Sequence, residues 1–341
     1  MPRRSTANAN CCCCCGANGV GGKALFSAIL ILSTFLVTRS FYATTRLIED
    51  LSIASSMSTL SSTDFAAAGS SLRFDNLCQW TEAMRGASVA RTPNMTKIYV
   101  ITPTKKRLSQ KADLTRLSHT LQLVPKLHWV LIEDAEAVSQ TVEELLERSC
   151  LLNYTHLAVA HDKTLVKGKG MTQRNAGIDY LRRLYVGEPV ANVNAVVYFA
   201  DDDNSYDLRL FNEYIRRVQR VGIWAVAFPG GTMVEAPKVR NGSVVGWDTS
   251  FAPKRKFATD MAGFAIHLRL FLQHPEARFH AKCKVSHFES CLLSQLGITM
   301  KDLEPFGFEE QQQRKKEVLV WHLKTKNILK ARGGQKGFVV S

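Results

Sequence analysis

The sequence predicts an α/β domain with a largely parallel sheet, set behind an N-terminal membrane anchor. Three observations carry this. From residue 96 to about 228, short apolar runs alternate with stretches of helical spacing. One run, Val196-Val197-Tyr198-Phe199-Ala200, leads straight into Asp201-Asp202-Asp203. Fifteen uncharged residues, 24–38, stand near the N-terminus between Lys23 and Arg39.

The N-terminal third comes first. Residues 1–23 are polar, with Arg3, Arg4 and Lys23, and read as a disordered cytosolic tail. The span 24–38 is shorter than the roughly 20 residues of a usual membrane helix. Snorkelling of Lys23 and Arg39 covers the shortfall. No small-x-small cleavage site follows, so an uncleaved signal anchor is favoured over a signal peptide. Residues 39–95, rich in Ser, Thr and Ala, read as a lumenal stem.

Lys97-Ile98-Tyr99-Val100-Ile101-Thr102-Pro103 opens the folded part as a strand stopped by proline. Leu114, Leu117, Leu121 and Val124 give 109–124 a helical face. A second strand spans 127–134 and ends in Glu133-Asp134. Val138, Val142, Leu145 and Leu146 mark a helix over 136–149. A strand at 155–160, a helix at 171–185 with Arg174 in its first turn, and the strand at 195–200 follow. A helix at 208–220 and a strand at 223–228 extend the alternation. Beyond 229 the pattern loosens: Gly230-Gly231 and Asn241-Gly242 suggest hairpins and loops, 260–266 is apolar with small residues, and a helix begins at Glu289. A late strand, 317–322, ends in His322, and 331–341 reads as a flexible tail.

Charge and cysteine narrow the setting. The 341 residues carry a net charge of +14 and a pI near 9.4, which favours anionic partners. The basic residues are dispersed and no nucleic-acid-binding motif appears, so nucleic acid is excluded as the partner. Cys11–Cys15 have no metal spacing and read as an acylation site beside the anchor or as an idle tail. Cys78, Cys150, Cys283 and Cys291 suit an oxidising lumen, with their pairing left open. Sequons at Asn94, Asn153 and Asn241 agree with that compartment.

Three adjacent carboxylates at the end of a buried strand repel one another unless a cation sits among them. Hard oxygen ligands suit Mg²⁺ or Mn²⁺. The plainer alternative is a solvated acidic turn. The strand in front favours the metal, because ligands of parallel α/β sheets bind beyond the carboxyl ends of the strands. Pro103, Asp134 and Asp201 all fall there.

Nine segments occur in order along the chain: Tyr99-Val100-Ile101-Thr102-Pro103-Thr104, Leu127-His128-Trp129, Glu133-Asp134-Ala135-Glu136, Gln173-Arg174-Asn175, 198–204, Asp260-Met261-Ala262-Gly263-Phe264-Ala265, Glu289-Ser290, Asp302-Leu303-Glu304-Pro305 and Val320-Trp321-His322. By these the chain resembles, from about Lys97 to Thr325, the animal β-1,3-glucuronyltransferases of glycosyltransferase family 43. The resemblance implies two abutting Rossmann-like subdomains of the GT-A type. Residues 96–204 would bind the UDP-sugar, and 205–330 the acceptor. It implies glucuronate transfer from UDP-glucuronate, with Mn²⁺, to the 3-hydroxyl of a terminal galactose. The acceptor would be the proteoglycan linker or another galactose-ended glycan, and the enzyme a single-pass type II Golgi homodimer.

Residue by residue, the resemblance makes Asp203 the metal ligand. Asp201 and Asp202 would contact the ribose and neighbouring donor groups. Asp134 would hold the uracil edge below Pro103. Arg174 and His322 would meet the diphosphate and glucuronate. Lys169 and Lys324 stand at donor positions where the family often has arginine. Glu235, Arg255 and Asp260 match acceptor positions, and Glu289 matches the catalytic base. Such transfer needs a base on the acceptor hydroxyl and positive charge on the leaving diphosphate. Plainer readings exist: Glu289 as a helix N-terminal acid, His322 as a core histidine, and Arg255 as part of a solvated Lys254-Arg255-Lys256 face. Lys105 replaces an aromatic expected on uracil, and Phe251 replaces a tryptophan near the acceptor. The rival functions are transfer from another UDP-sugar, such as UDP-xylose, and a glycan-binding protein without catalysis.

Overall fold

The computed structural model describes residues 94–325 except 152, 166–169 and 309–315, with scattered positions between 78 and 92. The expected tail, anchor and stem lie outside the described residues, apart from those scattered positions and 94–95, as do Lys169 and the tail at 331–341. Among the described residues, no helix is long and apolar enough to cross a membrane.

Four strands alternate with three helices as the spacing predicts: β1 (Lys97–Thr104), α1 (Gln110–Leu121), β2 (Leu127–Glu133), α2 (Gln140–Glu147), β3 (Tyr154–Ala158), α3 (Met171–Leu184) and β4 (Ala195–Phe199). β1 pairs in parallel with β2 and β4, and β2 with β3. Side chains of a strand point alternately to opposite faces. Tyr99, Ile101, Val130, Ile132, Val197 and Phe199 therefore share one face with Ile178 and Leu181 of α3. Ile98, Val100, Trp129, Leu131, Val196 and Tyr198 share the other with Leu114, Leu117 and Leu121 of α1 and Val142 and Leu146 of α2. Both faces of the sheet are thus covered by helices.

The second half departs from expectation. The helix read at 208–220 is an irregular pair of turns, Leu210–Tyr214 and Ile215–Arg217. The strand read at 223–228 breaks at Trp224-Ala225 into β6 (Val221–Ile223) and β7 (Val226–Ala227), which join different sheets. β5 (Ser205–Tyr206), β8 (Val234–Arg240), β9 (Ser243–Asp248), β10 (Phe264–His267), β11 (Leu303–Pro305) and β12 (Val320–Trp321) complete the strands, with α4 (Leu268–Gln273) and α5 (Phe288–Gln295). β8 and β9 form the hairpin announced by Asn241-Gly242, both residues having positive φ.

The first sheet runs β11-β6-β10-β4-β1-β2-β3, with β10 antiparallel to both neighbours. The second runs β5-β12-β7-β8-β9. The expected pair of Rossmann-like halves is therefore met in the first half only. Strands of the second half extend the first sheet across the boundary at 204 and add a hairpin sheet, because 229–250 carries turn residues where a crossover helix would be needed. Cys78 pairs with Cys150 and Cys283 with Cys291. Asn94, Asn153 and Asn241 are all exposed.

Candidate active site

β1, β2 and β4 end along one edge, with Thr104 beside Glu133 and Ile101 beside Phe199. The residues just past them line a cavity of about 650 Å³. Pro103, Thr104, Lys105 and Arg107 come from the end of β1, Asp134 from β2 and Asp201–Asp203 from β4. Gly170, Met171, Gln173 and Arg174 come from the start of α3. Phe251, His322, Lys324 and Thr325 close it from later in the chain. Every described residue expected to meet the donor or the metal lines this one cavity.

The three aspartates have different neighbours. Asp201 is ion-paired with the buried Arg174. Asp202 is buried and accepts from Thr104 Oγ1 at 2.6 Å and Arg107 Nη1 at 2.7 Å. Burial pushes the Asp202 carboxyl up, against the pull of Arg107. Among the described residues the Asp203 carboxylate has no hydrogen-bond or ion-pair partner. Burial, and then the charges of Asp201 and Asp202, raise it to about 6. An unpaired carboxylate close enough to two others to feel their charge offers the kind of oxygen donor that a hard divalent ion takes.

Arg174 owes its place to Gly170, which caps α3 with φ 70°. A Cβ there would stand 2.7 Å from Arg174 Nη1 and 3.0 Å from Pro103. Only glycine meets both demands. The N-terminal end of α3, at Gly170 and Met171, adds its partial positive charge to the cavity. Across from them, Asp134 Oδ1 accepts from the His161 backbone N–H at 2.8 Å.

A second cluster adjoins the first through His322, whose Nδ1 bonds Asp260 Oδ2 at 2.9 Å. That bond, with the nearby Asp201 and Asp203 charges, raises His322 to about 9 against the effect of burial. Asp260 also caps the turn Met261–Gly263, accepting from Ala262 N. Glu235 and Arg255 form a buried pair at 2.6 Å. Arg255 Nη1 also bonds Thr259 O at 3.0 Å and lies 3.9 Å from Glu289 Oε2. The solvated-face reading of 254–256 thus holds for Lys254 and Lys256 but not for Arg255, which is 4% exposed. Glu289 sits in the first turn of α5, and burial raises it to about 7, with Asp260 adding to the rise.

Sequence reading missed Thr104, Arg107, Gln173 and Thr325. Arg107 carried no motif signal; its role depends on a fold that brings it to Asp202, ninety-five residues away in sequence.

The sequence model described as glycosyltransferase family 43 matches residues 117–326. Galactosylgalactosylxylosylprotein 3-beta-glucuronosyltransferase 3 of Cricetulus griseus is 47% identical over 243 residues, covering 67% of this chain and 70% of its own length. Galactosylgalactosylxylosylprotein 3-beta-glucuronosyltransferase 1 of Homo sapiens is 44% identical over 252 residues, covering 71% and 72%. Among solved structures, S. aureus TarS 1-349 aligns with a TM-score of 0.40 at 15% identity, covering 66% of this chain and 60% of that one. The mannosyltransferase PcManGT of Pyrobaculum calidifontis, in complex with GDP-Man and Mn²⁺, aligns at 0.36 and 11%, covering 70% of each.

Proposed function

The chain belongs to glycosyltransferase family 43, and from that premise we propose that it transfers glucuronate from UDP-glucuronate to the 3-hydroxyl of a terminal galactose with inversion. The Gal-Gal-Xyl linker of proteoglycans is the favoured acceptor, since the relatives with 44–47% identity are named for it. One observation carries the reading. A cavity with four carboxylates and Arg174 at the strand ends adjoins, through His322 and Asp260, a second cluster holding an acid near neutrality.

In the reaction the bond from glucuronate C1 to the diphosphate oxygen breaks, and a bond from C1 to the galactose O3 forms on the opposite face. The hydroxyl proton goes to Glu289. A carboxylate held near 7 is well matched to that task at neutral pH. Arg255, 3.9 Å away, steadies its charged form. The leaving diphosphate gains negative charge, and Arg174 and protonated His322 stand where they stabilise it. Asp134 reads the uracil edge, with Pro103 beneath the ring. Glu235, Arg255 and Asp260 hold the galactose.

Asp203 is the residue that would hold a divalent ion, Mn²⁺ in this reading, because its carboxylate alone of the three has no partner among the described residues. When bound, the ion supplies further positive charge to the diphosphate. A GT-A type arrangement, a homodimer and a type II Golgi setting with the anchor at 24–38 belong to the same proposal. The exposed sequons and two disulfides support the lumenal side.

The test is UDP release by the chain over a panel of UDP-sugars and galactose-ended acceptors. UDP-glucuronate with a galactose-ended acceptor should give the highest turnover. Preference for UDP-xylose would replace the donor. Absence of turnover with every pair would leave a glycan-binding protein.

A further inference from the structure

We infer that Asp113 is a positioning residue for the donor cavity, fastening the 322–325 strap and the Asp202 carboxylate to helix α1 through one buried side chain. The inference rests on the donor reading of that cavity. Asp113 is 2% exposed and does not line the cavity itself. Its two oxygens serve different clients. Oδ2 accepts from Arg107 Nη2 at 2.8 Å, and the same guanidinium donates through Nη1 to Asp202 at 2.7 Å. Oδ1 accepts from Thr325 Oγ1 at 2.7 Å, a contact between residues 212 apart in sequence.

Among the described residues the strap has few other ties. Leaving β12, it is held by His322 N to Ala227 O at 2.8 Å, by His322 to Asp260, and by Leu323 N to Asn204 Oδ1 at 3.1 Å. Past Leu323 the Thr325 hydroxyl is its anchor, and Lys324 and Thr325 are both exposed cavity residues. Among the described residues, one hydrogen bond, Thr325 to Asp113, thus holds the part of this segment beyond Leu323, which carries Lys324 into the cavity. One turn along α1, Arg116 Nη2 donates to Asp203 O at 2.8 Å and lies 3.5 Å from Asp113 Oδ1. The face of α1 that carries Asp113 and Arg116 therefore fixes both walls: the aspartate loop and the strap.

A carboxylate buried only to neutralise Arg107 would need no bond to residue 325. Its loss would lower stability and the active fraction, while molecules that still folded would bind donor normally. A positioning role predicts a weakened donor site instead. The experiment is calorimetric titration of the full chain with UDP in the presence of Mn²⁺, beside melting curves and KM values for donor and acceptor. Thr325→Val removes the hydroxyl bonded to Asp113 Oδ1 and should lower the melting temperature only slightly, because Arg116 Nη2 stands 3.5 Å from the same oxygen. It should weaken UDP binding about three- to tenfold, the worth of one hydrogen bond, and raise donor KM alike with acceptor KM unmoved. Asp113→Asn should weaken UDP at least as much. In an Asp113→Ala background, Thr325→Val should add less than about twofold, since the bond is already gone. Wild-type UDP affinity in both single variants would overturn the inference alone, as would additive effects in the double variant. A wild-type chain that bound no UDP would overturn the donor reading and the inference with it.

Discussion

Asp260→Asn isolates the charge on His322. Asp260 Oδ2 bonds His322 Nδ1 at 2.9 Å, with side chains 13% and 21% exposed, so solvent screens the pair only in part. The rise from 6.5 to about 9, at about 1.4 kcal/mol per pH unit, is on the order of 3 kcal/mol favouring the imidazolium. The sign follows from a folded value above the unfolded one: the pair stabilises fully below pH 6.5, and the contribution is lost as pH rises through 9. The carboxamide can still cap Ala262 through its oxygen, but it carries no charge. His322 should then titrate near its ordinary value, so at pH 7.5 roughly nine-tenths of the rings would be neutral instead of nearly all protonated. NMR titration of the ring reads this directly, without turnover. In kcat/KM the alkaline limb should move from near 9 toward 7. A His322 titration that stays near 9 in Asp260→Asn would refute the assignment of the shift to this bond.

Three other outcomes are expected. Glu289→Gln should lower kcat by about 10²–10⁴ and abolish the acidic limb near 7, with UDP affinity unchanged; wild-type turnover would move the base elsewhere, Asp260 first. EDTA should abolish transfer and Mn²⁺ restore it, whereas Asp203→Ala should stay inactive at any Mn²⁺ concentration; full activity in EDTA would remove the metal. Gly170→Ala should cost roughly 1–2 kcal/mol for the left-handed backbone. It should also raise donor KM by displacing Arg174, so a lowered melting temperature with unaltered KM would show that Arg174 does not need its present position.

The first half of the fold was legible because β1, β2 and β4 are largely apolar runs and the helices between the strands carry apolar residues at helical spacing. The residues at its strand ends could be placed in one cavity from that pattern, since parallel strands present their carboxyl ends together. The second half was not legible. Trp224-Ala225 sits inside one apolar run, yet the chain changes sheets there, and Trp224 Nε1 bonds Ala262 O in the core between them. Nothing in the alternation of 223–228 marks that break. Arg255 was misleading for the opposite reason: flanked by exposed lysines in a loop, it turns inward because Glu235, on β8, supplies a buried counter-charge. The disulfide partners were likewise set by tertiary geometry, with Cys78 and Cys150 72 residues apart.

The aspartate run makes most sense as a graded set of counter-charges. Arg174 pairs with Asp201, and Arg107 is shared between Asp202 and Asp113. The third, Asp203, pays for the imbalance with a pKa raised to about 6, since burial and the charges of Asp201 and Asp202 outweigh the opposing pull of Arg107 and His322. A third cation of the cavity, His322, is bonded to Asp260 and acts on Asp203 only through space, so Asp203 is left without a direct partner among the described residues. Meanwhile Lys105 and Lys324 line the cavity without a bond to any of the three, because both are exposed. A divalent ion satisfies Asp203, and the diphosphate that comes with it meets those lysines and Arg174. Donor and metal then complete one another's site, so each should bind weakly without the other.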